Sequence, residues 1–331
     1  MTLIQSPPWT IYGKLLLTMI LWGIAWPVGR VLATGLPPFS IAAIRYAIVI
    51  PVFLALLWVR EGSFKLPRGW IPTFVLLGIL NTTLYQAFFL FGVKYAAASD
   101  DSLVIGVGPV LIAVLASVAI NEPLTKQKIV GLLSGLAGLG IIGSLSPNIA
   151  VTNRILGVTL VFGGALAYAL YTVLLRRFIN QNPTTANRTR PSSLAMITWI
   201  SLFGWLFLIP FSLLESPWNY VWDVGSWAGI LYLAILSTVV GYLFYVEGVG
   251  EIGASRAAVF GNLVPVFGVL SSALLLNETV NIWHGVSFLL IFLGVMLVNK
   301  TWHGPRINDD QRVRGEALVA PEVSAKMLDA K

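Results

Sequence analysis

The sequence predicts an all-α polytopic membrane protein with ten transmembrane helices, arranged as a five-plus-five inverted-topology repeat. The composition, the apolar spans and an internal repeat predict this fold. Hydrophobic residues make up 57% of the 331 residues and charged residues only 11%, and the mean hydropathy is +0.83. Because soluble domains carry roughly 25% charged residues, this composition excludes most soluble enzymes and an intrinsically disordered chain.

Ten segments are long and apolar enough to cross a bilayer, which takes about 20 residues. They cover approximately residues 11–33, 39–59, 70–93, 98–120, 128–146, 155–177, 193–214, 226–249, 254–276 and 282–300. Their continuous apolar character excludes the strands of an outer-membrane barrel, which alternate every second residue. The first segment resembles a signal peptide in its leading Lys14. We predict a retained helix because the run is long and contains Trp22, Trp26 and Pro27.

The distribution of Lys and Arg predicts the orientation. With the N-terminus in the cytoplasm, 17 of the 21 basic residues fall on the cytoplasmic side, so both termini are expected there. Residues 301–331 are polar and are expected to form a flexible cytoplasmic tail. The net charge of +7 therefore reflects membrane topology, and we expect no nucleic-acid partner. Cysteine is absent, which excludes disulfides and thiolate chemistry.

An internal repeat appears when the sequence is shifted by 156 positions. Residues 77–138 align without a gap with residues 233–294, and sixteen of 62 positions are identical. The matches include the less common residues Gly92 with Gly248, Pro109 with Pro265, and Asn121-Glu122 with Asn277-Glu278. Because each unit holds five helices, the second unit enters the membrane from the opposite side. We therefore expect repeats at 1–147 and 148–300, an arrangement that supports alternating access.

The ordered set of motifs resembles the ten-helix branch of the drug/metabolite transporter superfamily, built from two EamA-type units. The motifs are Trp22-Gly23, Arg45-Tyr46, and the stretch from Ala98-Ser99 through Pro109 to Asn121-Glu122, which recurs from Ala254-Ser255 through Pro265 to Asn277-Glu278. The resemblance implies metabolite export across a bacterial inner membrane. The aromatic-rich interior makes the chain most similar to aromatic amino-acid exporters. As a departure, Arg45 has no counterpart in the seventh helix.

Inverted-repeat carriers place their substrate site near mid-depth between the two halves. Unusual side chains near the span centres predict a lining of Trp22, Trp26, Tyr85, Gln86, Phe89, Tyr168, Tyr242, Tyr245 and Asn262, and the eighth span also offers Thr238. Aromatic faces with neutral polar groups and no full charge suit neutral, partly apolar solutes. The alternative is that the aromatic residues pack between helices and the amides hydrogen-bond there.

Two further features suggest moving parts. Pro109 and Pro265 lie inside their helices at repeat-equivalent positions and are expected to act as hinges, the alternative being static kinks. Arg45 lies about two turns inside its span, and we expect an ion pair with Asp100 or Asp101 that gates the site. The alternative is that these charges reach the lipid headgroups.

Together these features predict a monomeric secondary exporter of small neutral metabolites that works by alternating access. Aromatic and other large neutral amino acids are the expected substrates. The alternative is export of a different solute class, such as drug-like cations, by the same fold. A membrane-embedded enzyme or a channel is less favoured because the sequence holds no HExxH motif, serine elbow or pore motif. The sequence also lacks GxxxxGK[ST], which argues against ATP-driven pumping. We expect no metal or cofactor, and no partners beyond the solute and the bilayer.

Overall fold

A computed structural model describes residues 8–119, 125–146, 151–179 and 191–300. Within these residues the chain forms ten helices and no β-strand. The helices are α1 (Pro8–Gly35), α2 (Pro38–Glu61), α3 (Ile71–Tyr95), α4 (Ala98–Val104 continuing as Gly108–Ala119), α5 (Lys126–Leu145), α6 (Arg154–Ile179), α7 (Ser193–Leu214), α8 (Val224–Ile252), α9 (Ala254–Gly261 continuing as Leu263–Leu276) and α10 (Ile282–Lys300). The predicted all-α polytopic fold is confirmed.

Nine helices of the described residues are long and apolar enough to cross a membrane. The tenth contributes a shorter apolar stretch, Ile282–Val298. Large apolar side chains such as Leu214 and Leu274 are about 80% exposed, as expected where a helix faces lipid rather than water. The predicted tail at 301–331 and the Asn121-Glu122 motif lie outside the described residues.

Helices α2 and α7 run antiparallel and are joined at both ends by carboxylates. Glu215, just after α7, accepts hydrogen bonds from the backbone N–H groups of Phe39 (3.1 Å) and Ser40 (2.8 Å) at the start of α2. Glu61, at the end of α2, accepts one from the Ser192 hydroxyl at the start of α7. A carboxylate at a helix N-terminus is favoured by the unpaired N–H groups there. These contacts fasten a helix of each proposed half to the other.

Helices α5 and α10 pack so closely that only glycine fits at their crossing. A Cβ on Gly131 would lie 2.7 Å from the Gly294 carbonyl oxygen, and a Cβ on Gly138 would lie 2.9 Å from the Ser287 carbonyl oxygen. At the 156-residue offset, Gly131 corresponds to Ser287 and Gly138 to Gly294. Each contact is therefore the repeat counterpart of the other, which agrees with an inverted repeat.

The longest irregular stretches also occur at corresponding places. Helix α3 widens to a π-helix over Ile79–Leu84, and α8 does so over Tyr232–Val240. The offset of 156 maps 79–84 onto 235–240. π-helical turns are rare and concentrate at functional sites. The paired stretches therefore mark the middle of the bundle as a candidate functional region in both halves.

Helices α4 and α9 are interrupted just before the two predicted hinge prolines. In α4 a 3₁₀ turn, Ile105–Val107, precedes Pro109, and in α9 a turn at Asn262 precedes Pro265. Proline has no N–H for the carbonyl four residues earlier, which is that of Ile105 or Gly261. The backbone is therefore irregular where the hinges are expected, and the hinge role itself stays a prediction.

Candidate substrate site

Arg45 lies at the centre of the candidate site. It is about 10 Å along α2 from the start of the helix, at 1.5 Å per residue, and its side chain reaches between α3 and α8. Its Nε and Nη2 atoms donate to the Thr238 hydroxyl oxygen (3.1 and 2.7 Å), and Nη1 donates to the Gln86 amide oxygen (2.9 Å). Arg45 is only 6% exposed. A guanidinium therefore joins the two halves through neutral acceptors.

Neighbouring groups hold these acceptors in place. The Gln86 amide nitrogen donates to the Tyr46 hydroxyl (3.3 Å), and the Arg45 guanidinium lies 5.9 Å from the centre of the Tyr46 ring. The Thr238 hydroxyl donates to the carbonyl of Leu233, five residues earlier (2.7 Å), within the π-helical stretch. We call Arg45, Tyr46, Gln86 and Thr238 the central polar cluster.

Four tyrosines flank the central polar cluster. The ring centres of Tyr85 and Tyr168 are 5.7 Å apart, and those of Tyr168 and Tyr171 are 5.8 Å apart. Tyr242 lies close enough to Tyr168 and Tyr171 to interact with both electrostatically. We call Tyr85, Tyr168, Tyr171 and Tyr242 the tyrosine wall. Tyr85, Tyr168 and Tyr242 keep part of their surface accessible, whereas Tyr171 is buried.

Trp22 and Tyr245 form a further aromatic pair beside the wall. The Trp22 indole N–H donates to the Ser237 carbonyl oxygen (2.9 Å), and its ring centre lies 5.3 Å from that of Tyr245. A Cβ on Gly241 would lie 2.7 Å from the Trp22 indole nitrogen, so glycine at this position makes room for the indole. This places Trp22 against the π-helical stretch of α8.

Other predicted lining residues lie apart from these groups. Trp26 and Phe89 contact each other edge to face at 4.9 Å and are 3% and 5% exposed, so core packing accounts for both. Asn262 instead lines a small crevice between α4, α9 and α10, together with Leu103 and Pro265. The structure thus brings six of the nine predicted residues to the central region: Trp22, Tyr85, Gln86, Tyr168, Tyr242 and Tyr245.

The predicted ion pair of Arg45 with Asp100 or Asp101 is wrong. In the described residues, the hydrogen bonds of Arg45 go to Gln86 and Thr238, and it forms no ion pair with a carboxylate. The aspartates lie in the first turn of α4, near the end of the bundle, whereas Arg45 points toward the centre. The prediction that the lining carries no full charge is also wrong, because Arg45 bonds directly to Gln86.

Asp100 and its neighbours form a separate network at the end of the bundle. Asp100 accepts from the Ser146 hydroxyl (2.7 Å) and lies 3.4 Å from Arg154 Nε and 3.1 Å from His284 Nε2. Asp101 is fully buried, and neither of its carboxylate oxygens has a hydrogen-bond partner among the described residues. His284 is a lone histidine near a span end, a position that carries no distinctive sequence pattern.

Glu278 closes the same end. Its carboxylate accepts from the N–H groups of Ala98 (2.9 Å) and Ser99 (2.8 Å) and from the Ser99 hydroxyl (2.5 Å), and Arg30 Nε lies 3.4 Å away. We call this end, with Arg30, Ser99, Asp100 and Glu278, the Glu278 end. At the opposite end the Lys14–Glu247 ion pair is about one-third exposed. The ion pairs at the Glu278 end are therefore more deeply buried than this pair.

The predicted lining did not include Tyr46, Tyr171 or the backbone carbonyl of Ser237. Tyr46 adjoins Arg45 in a motif that carried the family resemblance, so the motif could have identified it. Ser237 acts through its backbone carbonyl, which no side-chain pattern reveals. The carbonyl becomes relevant only because the indole of Trp22 lies against it.

Comparison with known proteins finds one family in both halves of the chain. A model of the EamA-like transporter family matches residues 9–144 and again residues 155–300. The uncharacterized transporter YyaM of Bacillus subtilis is 28% identical over 309 residues, which cover 91% of this chain and 97% of YyaM. The "Probable amino-acid metabolite efflux pump" of Salmonella typhimurium is 27% identical over 312 residues, covering 91% of this chain and 97% of the pump.

A solved crystal structure shares the fold at a TM-score of 0.59, with 18% sequence identity, and covers 95% of this chain and 100% of its own. At this identity the similarity concerns the fold alone. The family model, in contrast, matches both halves of the chain, which together hold the central polar cluster and the tyrosine wall. The protein therefore belongs to the EamA-like transporter family, within the drug/metabolite transporter superfamily, and is a multi-pass membrane transporter.

Proposed function

We propose that this protein is a secondary exporter of neutral amino acids, with large and aromatic ones preferred. It works by alternating access as a monomer in a bacterial inner membrane, with both termini in the cytoplasm. The observation that carries the proposal is the position of the site. The central polar cluster and the tyrosine wall combine α2 and α3 of the first half with α6 and α8 of the second.

The chemistry of the lining supports this substrate class. Partly accessible tyrosine rings offer flat apolar faces to a side chain, and their hydroxyl groups offer hydrogen bonds to a polar group. An apolar pocket discriminates by only about 1–3 kcal/mol per methylene, so several large neutral side chains should be accepted. The Salmonella typhimurium relative, named as an amino-acid metabolite efflux pump, supports the same class.

The paired irregularities support alternating access. The π-helical stretches of α3 and α8 lie at repeat-equivalent positions, and so do the interruptions that precede Pro109 and Pro265. Under this proposal the prolines are hinges, and the Glu278 end opens to the outside during each cycle. Two halves that exchange conformations expose one central site to each side in turn.

The buried guanidinium argues against the main alternative substrate. A drug-like cation at the tyrosine wall would lie close to Arg45, and like charges repel strongly where water is excluded. Neutral solutes, and zwitterions that place a carboxylate toward Arg45, avoid this repulsion. A role in cation export is therefore the less favoured function.

Counterflow in proteoliposomes tests the proposal. Vesicles holding the purified full chain are loaded with unlabelled phenylalanine, and the entry of labelled phenylalanine, tryptophan, leucine, glutamate and tetraphenylphosphonium is followed. We expect exchange of the three neutral amino acids and little exchange of the other two. Tyr168→Ala should reduce exchange, whereas Tyr220→Ala, at an exposed tyrosine outside the helices, should not. Exchange of glutamate or the cation in place of phenylalanine would contradict the proposal.

A further inference from the structure

We propose that Arg45 binds the carboxylate group of the transported solute, so that the site selects compounds with a single carboxylate. The inference deepens the proposed function and rests on it, because it names the group of the amino acid that the site recognises. It replaces the gating role that the sequence suggested for Arg45.

The first support is the difference between Arg45 and two other arginines in the described spans. Arg30 lies 3.4 Å from Glu278, and Arg154 lies 3.4 Å from Asp100. Arg45 is more deeply buried than either, yet its hydrogen-bond partners are neutral. A buried charge in a membrane protein pairs with an opposite charge or faces a water-filled cavity. The counter-charge that the described residues do not supply is the charge a carboxylate solute brings.

The second support is the donor count of the guanidinium. The group has five N–H donors in a planar fork. Three donate to Thr238 and Gln86, one each from Nε, Nη1 and Nη2. One further N–H remains on each Nη atom with no acceptor among the described residues. Donors on the two Nη atoms match the spacing of the two oxygens of a carboxylate.

The third support is what surrounds the fork. Tyr85 lies close enough to Arg45 to interact with it electrostatically, and it belongs to the tyrosine wall. An amino acid whose carboxylate meets Arg45 therefore places its side chain near aromatic faces. Helix α7, the repeat counterpart of α2, contains no charged residue from Ser193 to Leu214. Helix α7 thus adds no second cation to the one that α2 supplies, and one cation fits one carboxylate.

The test compares ligands that differ only in the carboxylate. In the counterflow assay, wild-type protein should exchange phenylalanine at least about tenfold faster than phenylalaninamide, in which the carboxylate is replaced by a neutral amide. Arg45→Gln should lower phenylalanine exchange by at least about tenfold, and Arg45→Lys should lower it less because it keeps the charge without the fork. Arg60→Gln, at an exposed position of the same helix, is the matched control and should exchange normally.

A second variant covers the possibility that Arg45→Gln fails to fold. Gln86→Glu is nearly isosteric and places a fixed carboxylate on Arg45, so it should compete with the solute and abolish phenylalanine exchange. Gln127→Glu, exposed on α5, makes the same chemical change away from the site. Folding of each variant is checked by yield and a single peak on gel filtration. Normal exchange by Arg45→Gln or Gln86→Glu, or equal exchange of phenylalaninamide, would overturn the inference.

The design separates this inference from the proposed function. If the wild-type protein exchanges phenylalanine but Arg45 is dispensable, only the inference fails. If it exchanges no amino acid, the proposed function fails, and the inference is judged by the thermal stability of the purified protein. Stabilisation of wild-type protein by 3-phenylpropionate but not by phenethylamine, lost in Gln86→Glu, would uphold carboxylate binding. Equal effects of the two compounds would refute it.

Discussion

The buried charged side chains of this bundle differ mainly in whether an opposite charge lies next to them. Glu278 faces two backbone N–H groups and Arg30, and Asp100 faces Arg154. Removing one member of such a buried pair typically costs 3–5 kcal/mol, because the other charge is left uncompensated. Arg45 has no such partner among the described residues, so the stability of the bundle should depend less on its charge than on that of Asp100.

Trp22 provides a prediction at this scale. Trp22→Phe keeps an aromatic ring but loses the indole bond to the Ser237 carbonyl, and Trp205→Phe likewise loses a bond of 2.8 Å to the Ala43 carbonyl. Each change should lower the free energy of unfolding by about 1 kcal/mol. Only Trp22→Phe should also slow phenylalanine counterflow, because Trp22 lies beside Tyr245 at the site.

The comparison of the two variants removes stability as an explanation. Thermal unfolding in detergent gives the first quantity, and counterflow per folded protein gives the second. Equal slowing of transport in both variants would show that Trp22 has no special place in the site.

At the residue scale, sequence marks a position where its chemistry alone is unusual, and the substrate-binding role of such a residue stays a prediction. Gln86 was recognisable because a buried amide needs partners at membrane depth, and the structure bonds it to Arg45 and Tyr46. The partners of Arg45 were not recognisable. Thr238 is 193 positions away along the chain, and many polar groups lie at similar depth, so only tertiary packing decides among them.

At the scale of helices, the close approach of α5 and α10 provides a second prediction. Gly131→Ala would place a methyl group 2.7 Å from the Gly294 carbonyl oxygen, and the backbone there cannot rotate away. Overpacking of this kind typically costs 1–3 kcal/mol, and we expect a lower melting temperature. Gly140→Ala, in the same helix with nothing within 4 Å of the new methyl group, should be neutral or slightly stabilising.

Thermal unfolding of the two alanine variants, measured side by side in the same detergent, checks this prediction. If Gly131→Ala melts at the same temperature as Gly140→Ala, the two helices are not in the close contact described here.

The helices themselves could be predicted because about 20 continuous apolar residues suffice to mark a span. The π-helical stretches could not, because each adds one residue per turn without changing the composition. Their only sequence signal is a group of hydroxyl and amide residues in mid-span, such as Asn81 and Thr82 in α3 or Thr238 in α8. Such groups also occur in regular helices, where they bond to the backbone of the preceding turn.

For the whole molecule, the proposed export function requires the Glu278 end to open. Glu278→Gln loses the charge that faces Arg30 and the N-terminus of α4. Charge-assisted bonds of this kind contribute about 1–3 kcal/mol. The open state of this end should therefore be at least about tenfold more populated in the variant. Because the chain has no cysteine, a single Ser102→Cys reports opening without background. Ser102 is fully buried beneath this end.

Labelling by a membrane-impermeant thiol reagent added outside the cell measures this opening. We expect faster labelling of Ser102→Cys when it is combined with Glu278→Gln. Val221→Cys, 85% exposed in the α7–α8 connection, should label quickly in either background. An unlabelled Val221→Cys would mean that this end faces the cytoplasm, and equal rates at Ser102→Cys would mean that Glu278 does not hold the end closed.

The unequal centre of two otherwise corresponding halves has a consequence for stoichiometry. The Thr238 hydroxyl accepts a hydrogen bond from Arg45. Its counterpart Thr82 is buried, and its hydroxyl has no hydrogen-bond partner among the described residues. A symmetric dimer of identical five-helix units would bring either two guanidinium groups to the middle or none. A chain that joins two diverged units can present an odd number of charges there. Under the carboxylate proposal, covalent fusion of the halves thereby sets how many anionic groups the site accepts from the solute. One fixed cation is neutralised by one carboxylate.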